Sequence, residues 1–269
     1  MNRLPLLLLA LCLACGPVPP KPCDTSKVGN LCTVAGAGTN GYSGDEGPAI
    51  AAELSLPQDT LTAADGTLYV LDWNNHRIRK VTTDGVMHAV AGRGELGGTL
   101  DDPANSDFNH PTAMVFDPAG NMLVAAWHNS KIRKIDLTTG AIVDTCGDGR
   151  RAYFGDGAAA LTAALDLPAS LVFDPAGNLV VMDQANMVLR KIDPAGTISL
   201  FAGRCVIDAP APAGPGPCAS GVAPVACPMS SGKLTCGVPA DMCSKPCTPG
   251  YGGDEGPATA MRIGQPFGQ

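Results

Sequence analysis

Histidine is the first residue to consider, because imidazole is a common zinc ligand and a catalytic zinc site needs three protein ligands. The sequence has four histidines. His110 comes directly before a proline, where the corresponding segments of the chain have leucine or glutamine. The other three, His76, His88 and His128, occupy different positions in the pattern. One histidine does not make a three-ligand site, so we predict no metal site, no catalytic residue and no cofactor.

Carboxylates are concentrated in a phrase that the chain uses twice, as GYSGDEGPAIAA at Gly41–Ala52 and as GYGGDEGPATAM at Gly250–Met261. Such carboxylates could hold Ca²⁺, but the phrase lacks the alternating oxygen ligands of a calcium loop. Aspartate often accepts hydrogen bonds from its own backbone in turns that contain Gly and Pro. We therefore expect a structural turn at this phrase and no metal.

The cysteines are unevenly placed, and their spacing favours disulfides over zinc. Six of them lie within Cys205–Cys247, a segment rich in Pro, Gly and Ala that has neither a histidine nor a Cys-x2-Cys pair. Fifteen pairings are possible, and the spacing does not choose among them. Cys146 replaces an alanine of the repeat and is predicted to be a buried free thiol. The predicted disulfide cysteines are Cys23, Cys32, Cys205, Cys218, Cys227, Cys236, Cys243 and Cys247.

The beginning of the sequence indicates export. Arg3 precedes the apolar run Leu4–Leu13, which is too short to span a bilayer. The letters LAC then resemble a bacterial lipobox and predict lipidation at Cys15, although Cys12 stands where that pattern usually has leucine. An ordinary secretory signal cut near Ala14 is the alternative. We predict a protein of the bacterial cell envelope, lipid-anchored to a membrane or secreted.

Acidic composition excludes one class of partner. The net charge is −7 and the pI is about 4.9, with no long basic tract, whereas proteins that bind nucleic acid need clustered Lys and Arg against the phosphates. We therefore predict no nucleic-acid partner. Basic residues do recur as RIRK at 77–80, KIRK at 131–134 and VLRK at 188–191. We interpret them as solvated strand edges whose apolar stems are buried.

Three internal repeats define the elements that carry these residues. GTLYVLDWNNHRIRKV (Gly66–Val81) recurs as GNMLVAAWHNSKIRKI (Gly120–Ile135) and as GNLVVMDQANMVLRKI (Gly177–Ile192). Each repeat indicates four short strands separated by Gly- and Asp-containing turns, which is typical of a β-propeller blade. In the first repeat the predicted strands are Thr60–Ala63, Leu68–Leu71, Arg77–Val81 and Met87–Ala91.

These phrases resemble NHL repeats in the longer form that carries a Gly-Asp-x-Gly-Pro-Ala loop between blades. The resemblance covers Leu31–Gly203 and resumes at Thr248. It weakens in the second repeat, where Ala126 replaces the aspartate and the acidic phrase has decayed to LDDPAN. The resemblance implies an all-β fold of about three complete NHL-type blades with partial ones at the ends. Leu31–Gly36 is predicted to be the fourth strand of a further blade.

Three blades do not close a ring, because both end sheets keep an open face. We therefore expect a fragment of a larger, six-bladed propeller; the alternative is an open arc that another subunit completes. The predicted organisation is a signal peptide and lipobox at 1–15, a Pro-rich tether at 16–30, blades at 31–204, a Cys-rich insert at 205–247 and the start of the next blade at 248–269.

One face of this propeller collects the long loops and the turn after each second strand, and such loops commonly carry binding sites. The aspartate and asparagine of that turn are expected to cap it. The two tryptophans occupy equivalent positions there, where they either pack between blades or form a stacking platform for a glycan or peptide. The candidate binding residues on this top face are Trp73, Asn75, His110, Trp127 and Asn129.

Two functions remain open from the sequence. The first is a non-catalytic binding module for a protein, peptide or glycan. The second is a propeller enzyme, a metal-dependent lyase or a lactonase-like protein, whose site lies partly in blades beyond this sequence. A lactonase-like calcium site needs polar side chains on the inner strands, which here read TLTA, AMVF and SLVF. The first hypothesis is preferred.

Overall fold

A computed structural model describes residues 26, 28–98, 107–204 and 257–260. In this part of the chain the regular structure consists of short β-strands and single 3-10 turns, without an α-helix. The chain divides into two compact units, Met1–Val34 and Ala35–Gln269, and the described strands all belong to the second. Within the same ranges no helix has the length and apolar character needed to cross a membrane.

Three antiparallel sheets confirm the predicted all-β propeller blades. The first blade contains β1 (Gly47–Pro48), β2 (Asp59–Thr62), β3 (Leu68–Asp72), β4 (Arg77–Val81) and β5 (Val86–Ala91). The second contains β6 (Pro111–Phe116), β7 (Met122–Ala126), β8 (Lys131–Ile135) and β9 (Ile142–Cys146). The third contains β10 (Pro168–Phe173), β11 (Leu179–Asp183), β12 (Val188–Ile192) and β13 (Ile198–Ala202). The predicted strands of the first blade match to within one residue at each end.

The hairpin between the first and second strands depends on one aspartate in each of two blades. Asp117 accepts hydrogen bonds from the backbone N–H groups of Ala119 and Asn121, at 2.9 and 2.8 Å. Gly120 has φ +87°, a left-handed conformation that favours glycine. Asp174 makes the same contacts in the third blade, at 2.9 Å. The sequence DPAG therefore forms the turn by its own local bonds, as Asx turns do.

Apolar clusters join the blades face to face. Side chains alternate along each strand, so one set of residues from each sheet meets the next sheet. Between the first two blades the cluster is centred on Leu71, Ile78, Phe108, Met122 and Ile135, all at most 1% exposed. Between the second and third it is centred on Ile132, Cys146, Leu165, Val181 and Ile198, all 0% exposed. Burial of apolar area at about 25 cal/mol per Å² makes these interfaces the main source of stability.

The prediction of a strand at Leu31–Gly36 is wrong. These residues are described and form no strand. Leu31 is 99% exposed and Val34 is 57% exposed. A strand is stabilised by hydrogen bonds to a neighbouring strand, and none of the described strands pairs with this segment. The backbone N–H of Gly36 instead donates to the carbonyl of Ala49, at 2.9 Å.

The interpretation of the repeated basic residues as solvated edges is also wrong for the arginine at the centre of each third strand. Arg79, Arg133 and Arg190 are at most 1% exposed. Arg79 donates to Asp45 Oδ1 at 2.9 Å and to the carbonyls of Glu53 and Ser43, both at 2.7 Å. The guanidinium therefore binds the loop that leads into its own blade.

The third blade repeats this arrangement. Arg190 donates to Asp156 Oδ1 at 2.8 Å and to the carbonyls of Ala164 and Phe154, at 2.8 and 3.0 Å. In the second blade Arg133 bonds the carbonyls of Asp107 and Gly98. A guanidinium presents five N–H donors in fixed planar directions, so it can hold several loop oxygens at once. The buried charge therefore fixes each inter-blade loop.

The acidic motif at Gly41–Ala52 takes part in the same contacts. Asp45 was expected to bond its own backbone, but its carboxylate accepts hydrogen bonds from Arg79 and from the hydroxyl of Tyr42. Asp156 is held in the same way by Arg190 and Tyr153. The expectation of a purely local turn is therefore wrong, because the aspartate of the motif forms an ion pair with the arginine of the third strand.

The described cysteines are Cys32 and Cys146. Cys146 is free and 0% exposed, as predicted, and burial raises the pKa of its thiol to about 12. Cys32 is disulfide-bonded. Its pairing with Cys23 stays a prediction, because Cys23 lies outside the described residues. The six cysteines of Cys205–Cys247, and Cys15 with its predicted lipid, also lie outside them.

Candidate binding groove

A groove of about 330 Å³ runs along the edge where the first strands of the three blades lie side by side. Its walls come from the beginnings of β2, β6 and β10 and from the turns that follow β3, β7 and β11. The lining residues are Gln58, Asp59, Trp73, Thr112, Ala113, Met114, Trp127, Ala169, Ser170, Leu171 and Gln184. All three blades therefore contribute to one concave surface.

Two indoles form one side of the groove. Trp73 and Trp127 each begin a 3-10 turn, at Trp73–Asn75 and at Trp127–Asn129. Gln184 holds the same position in the third blade, and its amide oxygen accepts a hydrogen bond from Trp127 Nε1 at 2.8 Å. The amide of Gln184 has a second lone pair and an NH₂ group, so it can both accept from and donate to a ligand.

The polar floor of the groove is fixed by bonds between blades. Asp59 accepts a hydrogen bond from the backbone N–H of Met114 at 2.7 Å and another from Thr60 at 2.8 Å. Burial raises the pKa of Asp59 above its usual value, although these two bonds oppose the rise. The hydroxyl of Thr112 donates to the carbonyl of Pro168 at 3.2 Å. These contacts hold the three inner strands in one arrangement.

Three histidines meet beside Trp73, although the sequence placed only His110 at the strand start. The ring of His110 lies 4.5 Å from Trp73, 4.4 Å from His76 and 4.9 Å from His128, measured between centroids. His128 in turn stacks on Trp127 at 4.1 Å. His76 and His128 do occupy other positions in the repeat, on the turns after β3 and β7, yet the packing of the blades brings their rings to His110. His88 instead lies on β5 and contacts Glu46.

Partial desolvation, where these rings pack against one another and against the two tryptophans, keeps the three imidazoles neutral. It lowers the pKa of His128 to about 4, with the charge of His110 as the second cause. It also lowers the pKa of His76 and of His110 below the usual value. Neutral rings are expected at pH 7, so each has one nitrogen lone pair that can accept a hydrogen bond or bind a cation, and His76 uses its own on the backbone N–H of His110. No group of three His, Cys, Asp or Glu side chains in the described ranges is arranged to hold a metal.

The asparagines predicted at this face use their amides on the loops. Asn75 donates to the carbonyl of Gly41 at 2.7 Å and to Asp72 Oδ2 at 2.8 Å. Asn129 donates to the carbonyl of Gly97 at 2.7 Å and accepts from the backbone N–H of Asn109 at 3.0 Å. Of the predicted set, Trp73 and Trp127 therefore line the groove, whereas both asparagines connect the turns to the preceding loops.

The aspartate before the turn that follows the second strand also bonds the preceding loop. Asp72 Oδ1 accepts a hydrogen bond from the backbone N–H of Ser55 at 2.7 Å. Asp183 does the same for Asp166 at 2.7 Å. Burial raises the pKa of Asp183 to about 7, and its bond to Asn186 opposes the rise. These carboxylates hold the loops in place, which a purely local cap would not do.

Sequence reasoning missed Gln58, Asp59 and Gln184. The signal for Gln184 was present, because it occupies the tryptophan position of the other two repeats. Gln58 and Asp59 gave no comparable signal, because only the packing of β2 beside β6 brings them to the groove. The buried arginines had a signal in their spacing, since Arg79 and Arg190 each follow their aspartate by 34 residues.

Comparison with known proteins gives partial matches. No protein-family profile matches the chain. The chloroplastic protein SUPPRESSOR OF QUENCHING 1 of Arabidopsis thaliana is 34% identical over 89 residues, which are 32% of this chain and 8% of that protein. Teneurin-m of Drosophila melanogaster is 28% identical over 164 residues, which are 59% of this chain and 6% of that protein. The chain thus spans less than a tenth of the length of these relatives.

Solved structures with similar coordinates are β-propeller proteins. Virginiamycin B lyase from Staphylococcus aureus matches 54% of this chain and 40% of its own at 16% identity, with a TM-score of 0.38. An auxiliary nutrient binding protein from Bacteroides ovatus matches 56% and 37% at 16% identity, with a TM-score of 0.41. A protein of unknown function from Bacteroides thetaiotaomicron matches 54% and 35% at 20% identity, with a TM-score of 0.45. With TM-scores below 0.5 these likenesses add nothing to what the three antiparallel sheets show, which is that the chain forms blades of a β-propeller.

Proposed function

We propose that this chain belongs to an exported, lipid-anchored NHL-type propeller of a bacterial cell envelope that acts as a non-catalytic binding module. The observation that carries the proposal is the groove to which all three blades contribute. It lies on rigid inner strands, and its volume of about 330 Å³ falls in the range of small-ligand pockets. Binding at this groove needs no group that performs a reaction.

The lining indicates a neutral glycan as the ligand. The indoles of Trp73 and Trp127 offer flat apolar surface beside hydrogen-bonding groups, and aromatic rings of this kind pack well against the C–H faces of a sugar. Gln58 and Gln184 supply amides, and Asp59 supplies a carboxylate that can accept from hydroxyl groups. The described lining contains no Lys or Arg, which disfavours an anionic ligand.

The two tryptophans allow a direct test. The chain has only two and both line the groove, so intrinsic fluorescence reports on this site alone. Titration of the purified chain with neutral oligosaccharides should shift or quench the emission. Trp127→Ala should weaken binding at least tenfold, because loss of a buried aromatic contact costs about 1.4 kcal/mol or more.

Phe201→Ala is the matched control. Phe201 is an aromatic residue, 45% exposed on β13, and it does not line the groove. Its removal should leave the affinity for saccharide unchanged. If saturating saccharides leave the fluorescence unaltered while peptides change it, the ligand class is wrong. If neither class acts at millimolar concentration, the groove is not a binding site.

The lipid anchor is a separate part of the proposal. It is supported by the short apolar run that ends in Leu-Ala-Cys and by the Pro-rich segment after Cys15. Labelled fatty acid should enter the protein in a bacterial host, and Cys15→Ser should abolish the labelling. Equal labelling of the variant would overturn the anchor and leave the groove proposal intact.

A further inference from the structure

Two imidazole nitrogens and one amide oxygen of the second blade lie close together at the rim beside the groove. His110 Nδ1 lies 3.1 Å from His128 Nδ1. Asn109 Oδ1 lies 2.9 Å from the first nitrogen and 3.2 Å from the second. The three atoms therefore form a nearly equilateral triangle.

The imidazole tautomers decide how this triangle is bonded. If both Nδ1 atoms carry a hydrogen, both can donate to Asn109 Oδ1, which has two lone pairs. If only His110 Nδ1 carries one, the lone pairs of His128 Nδ1 and Asn109 Oδ1 face each other at 3.2 Å. If only His128 Nδ1 carries one, the lone pairs of His110 Nδ1 and Asn109 Oδ1 face each other at 2.9 Å. When both hydrogens are on Nε2, three lone pairs converge, and a cation above the triangle would satisfy all three.

The distances match those between the ligands of one metal ion. Ligand atoms about 2.0–2.1 Å from Zn²⁺ lie about 3.0 Å apart at octahedral angles and about 3.4 Å apart at tetrahedral angles. The three observed separations, 2.9, 3.1 and 3.2 Å, fall at or close to this range. We propose that His110, His128 and Asn109 bind a divalent transition-metal ion of the Zn²⁺ type, the class that imidazole ligands favour.

Neighbouring bonds hold the three donors in place. The backbone N–H of His128 donates to the carbonyl of Asn109 at 3.1 Å, and the backbone N–H of Asn109 donates to Asn129 Oδ1 at 3.0 Å. His76 Nδ1 accepts from the backbone N–H of His110 at 3.4 Å. These bonds fix the backbone from which the three side chains extend. His128 is exposed, so a bound ion could take further ligands from solvent.

This site differs from the one considered in the sequence. That reading needed histidines at the strand starts of several blades, and only His110 is so placed. Here all three proposed metal ligands belong to one blade. Two of them lie on the loop before β6 and one lies on the turn after β7. The third ligand is an amide oxygen. The inference stands independently of the glycan proposal, since it concerns the rim and not the lining residues.

Calorimetric titration of the full chain with ZnCl₂, without reductant, tests the site. One ion should bind with micromolar affinity. His110→Gln and His128→Gln should each weaken binding at least tenfold, because each removes a nitrogen ligand, and Asn109→Ala should weaken it less. His88→Gln is the matched control and should bind as the unchanged chain does. With Cu²⁺ in place of Zn²⁺, electron paramagnetic resonance should show two coupled imidazole nitrogens, reduced to one in either histidine variant.

Two outcomes would overturn the site. One is the absence of Zn²⁺ binding up to 1 mM (about −4 kcal/mol) by a chain that melts cooperatively. The other is unchanged affinity in both histidine variants, which would assign the ion to another part of the chain. Melting curves in EDTA show whether each variant is folded, so that a loss of affinity is not mistaken for a loss of structure.

Discussion

At the scale of single residues, the buried arginines are the most consequential feature. Arginine stays charged when buried, so its charge must be matched by fixed partners. Arg190 has Asp156 at 2.8 Å and Asp183 at 3.7 Å, and both Arg190 and Asp183 are 0% exposed. Removing the guanidinium leaves the buried carboxylate of Asp183 without its neighbouring positive charge, although Asn186 still bonds it, and leaves Asp156 with the hydroxyl of Tyr153 as a donor. The loss of stability in such a variant therefore comes mostly from the buried polar groups that remain.

Arg190→Met tests this at one position. We expect a loss of about 3–5 kcal/mol in the free energy of unfolding, because Asp156 and two carbonyls lose a hydrogen-bond donor and the buried Asp183 loses a nearby positive charge. Urea denaturation followed by circular dichroism measures it. Lys191→Met is the control on the same strand, since Lys191 is only half-buried, and it should change stability by no more than about 0.5 kcal/mol. Similar losses in the two variants would show that the contacts of Arg190 with its loop contribute little to stability.

At the scale of elements, the inter-blade loops before the first and third blades are each bound to the blade that follows by backbone pairing as well as by the buried arginine. The loop before the first blade pairs Gly47 and Pro48 with the outer strand β5. The loop before the third blade bridges Ala159 to Thr197, beside β13. Each loop also bonds the arginine of the third strand, so it contacts its blade at two separated places. These loops are consequently part of the sheet structure.

Two glycines in the loop before the third blade allow the energetic cost of backbone conformation to be measured separately from the cost of close packing. Gly155 and Gly157 both have positive φ, +97° and +82°. A Cβ at Gly155 would lie 2.7 Å from the Cα of Ala163, whereas nothing lies within 4 Å of one at Gly157. Gly157→Ala should therefore cost about 1–2 kcal/mol for conformation alone, and Gly155→Ala should cost about 1–3 kcal/mol more. Denaturation curves of the two variants that coincide would contradict the close approach.

At the scale of the whole molecule, one loop bond recurs before the first blade and after the second and third blades. Gly36 donates to Ala49 at 2.9 Å, Gly147 to Ala160 at 3.0 Å and Gly203 to Ala258 at 2.9 Å. The last pair spans the Cys-rich segment and is followed by the same single 3-10 turn, Ala258–Ala260. The two flanks of the insert therefore meet beside β13, as a tolerated surface insertion requires.

Deletion of residues 206–247 should consequently leave the blades folded. It would give the loop after Gly203 the length of the loop after Gly147, so the bond to Ala258 could still form. We expect the melting temperature to change by no more than about 4 °C, since less than about 1 kcal/mol is lost. Differential scanning calorimetry measures this. A deleted chain that no longer unfolds cooperatively would show that the insert is part of the core.

The sequence by itself determined the local structure of this protein. Alternating apolar residues specify strands, and DPAG closes a hairpin by bonds between neighbours such as Asp117 and Asn121. The recurrence of these patterns specifies repeated blades, because each copy obeys the same short-range rules. The burial of Cys146 followed in the same way from its place in the repeat.

Only the tertiary structure decided which distant residues meet. The partner of Arg79 lies 34 residues earlier in the chain, and the sequence therefore allowed an equally plausible solvated arginine. His76 reaches His110 across the junction of two blades, a contact that neither repeat specifies alone. The groove likewise exists because β2, β6 and β10 lie side by side. Such contacts depend on blade packing, and packing depends on all the side chains of an interface together, which no local pattern encodes.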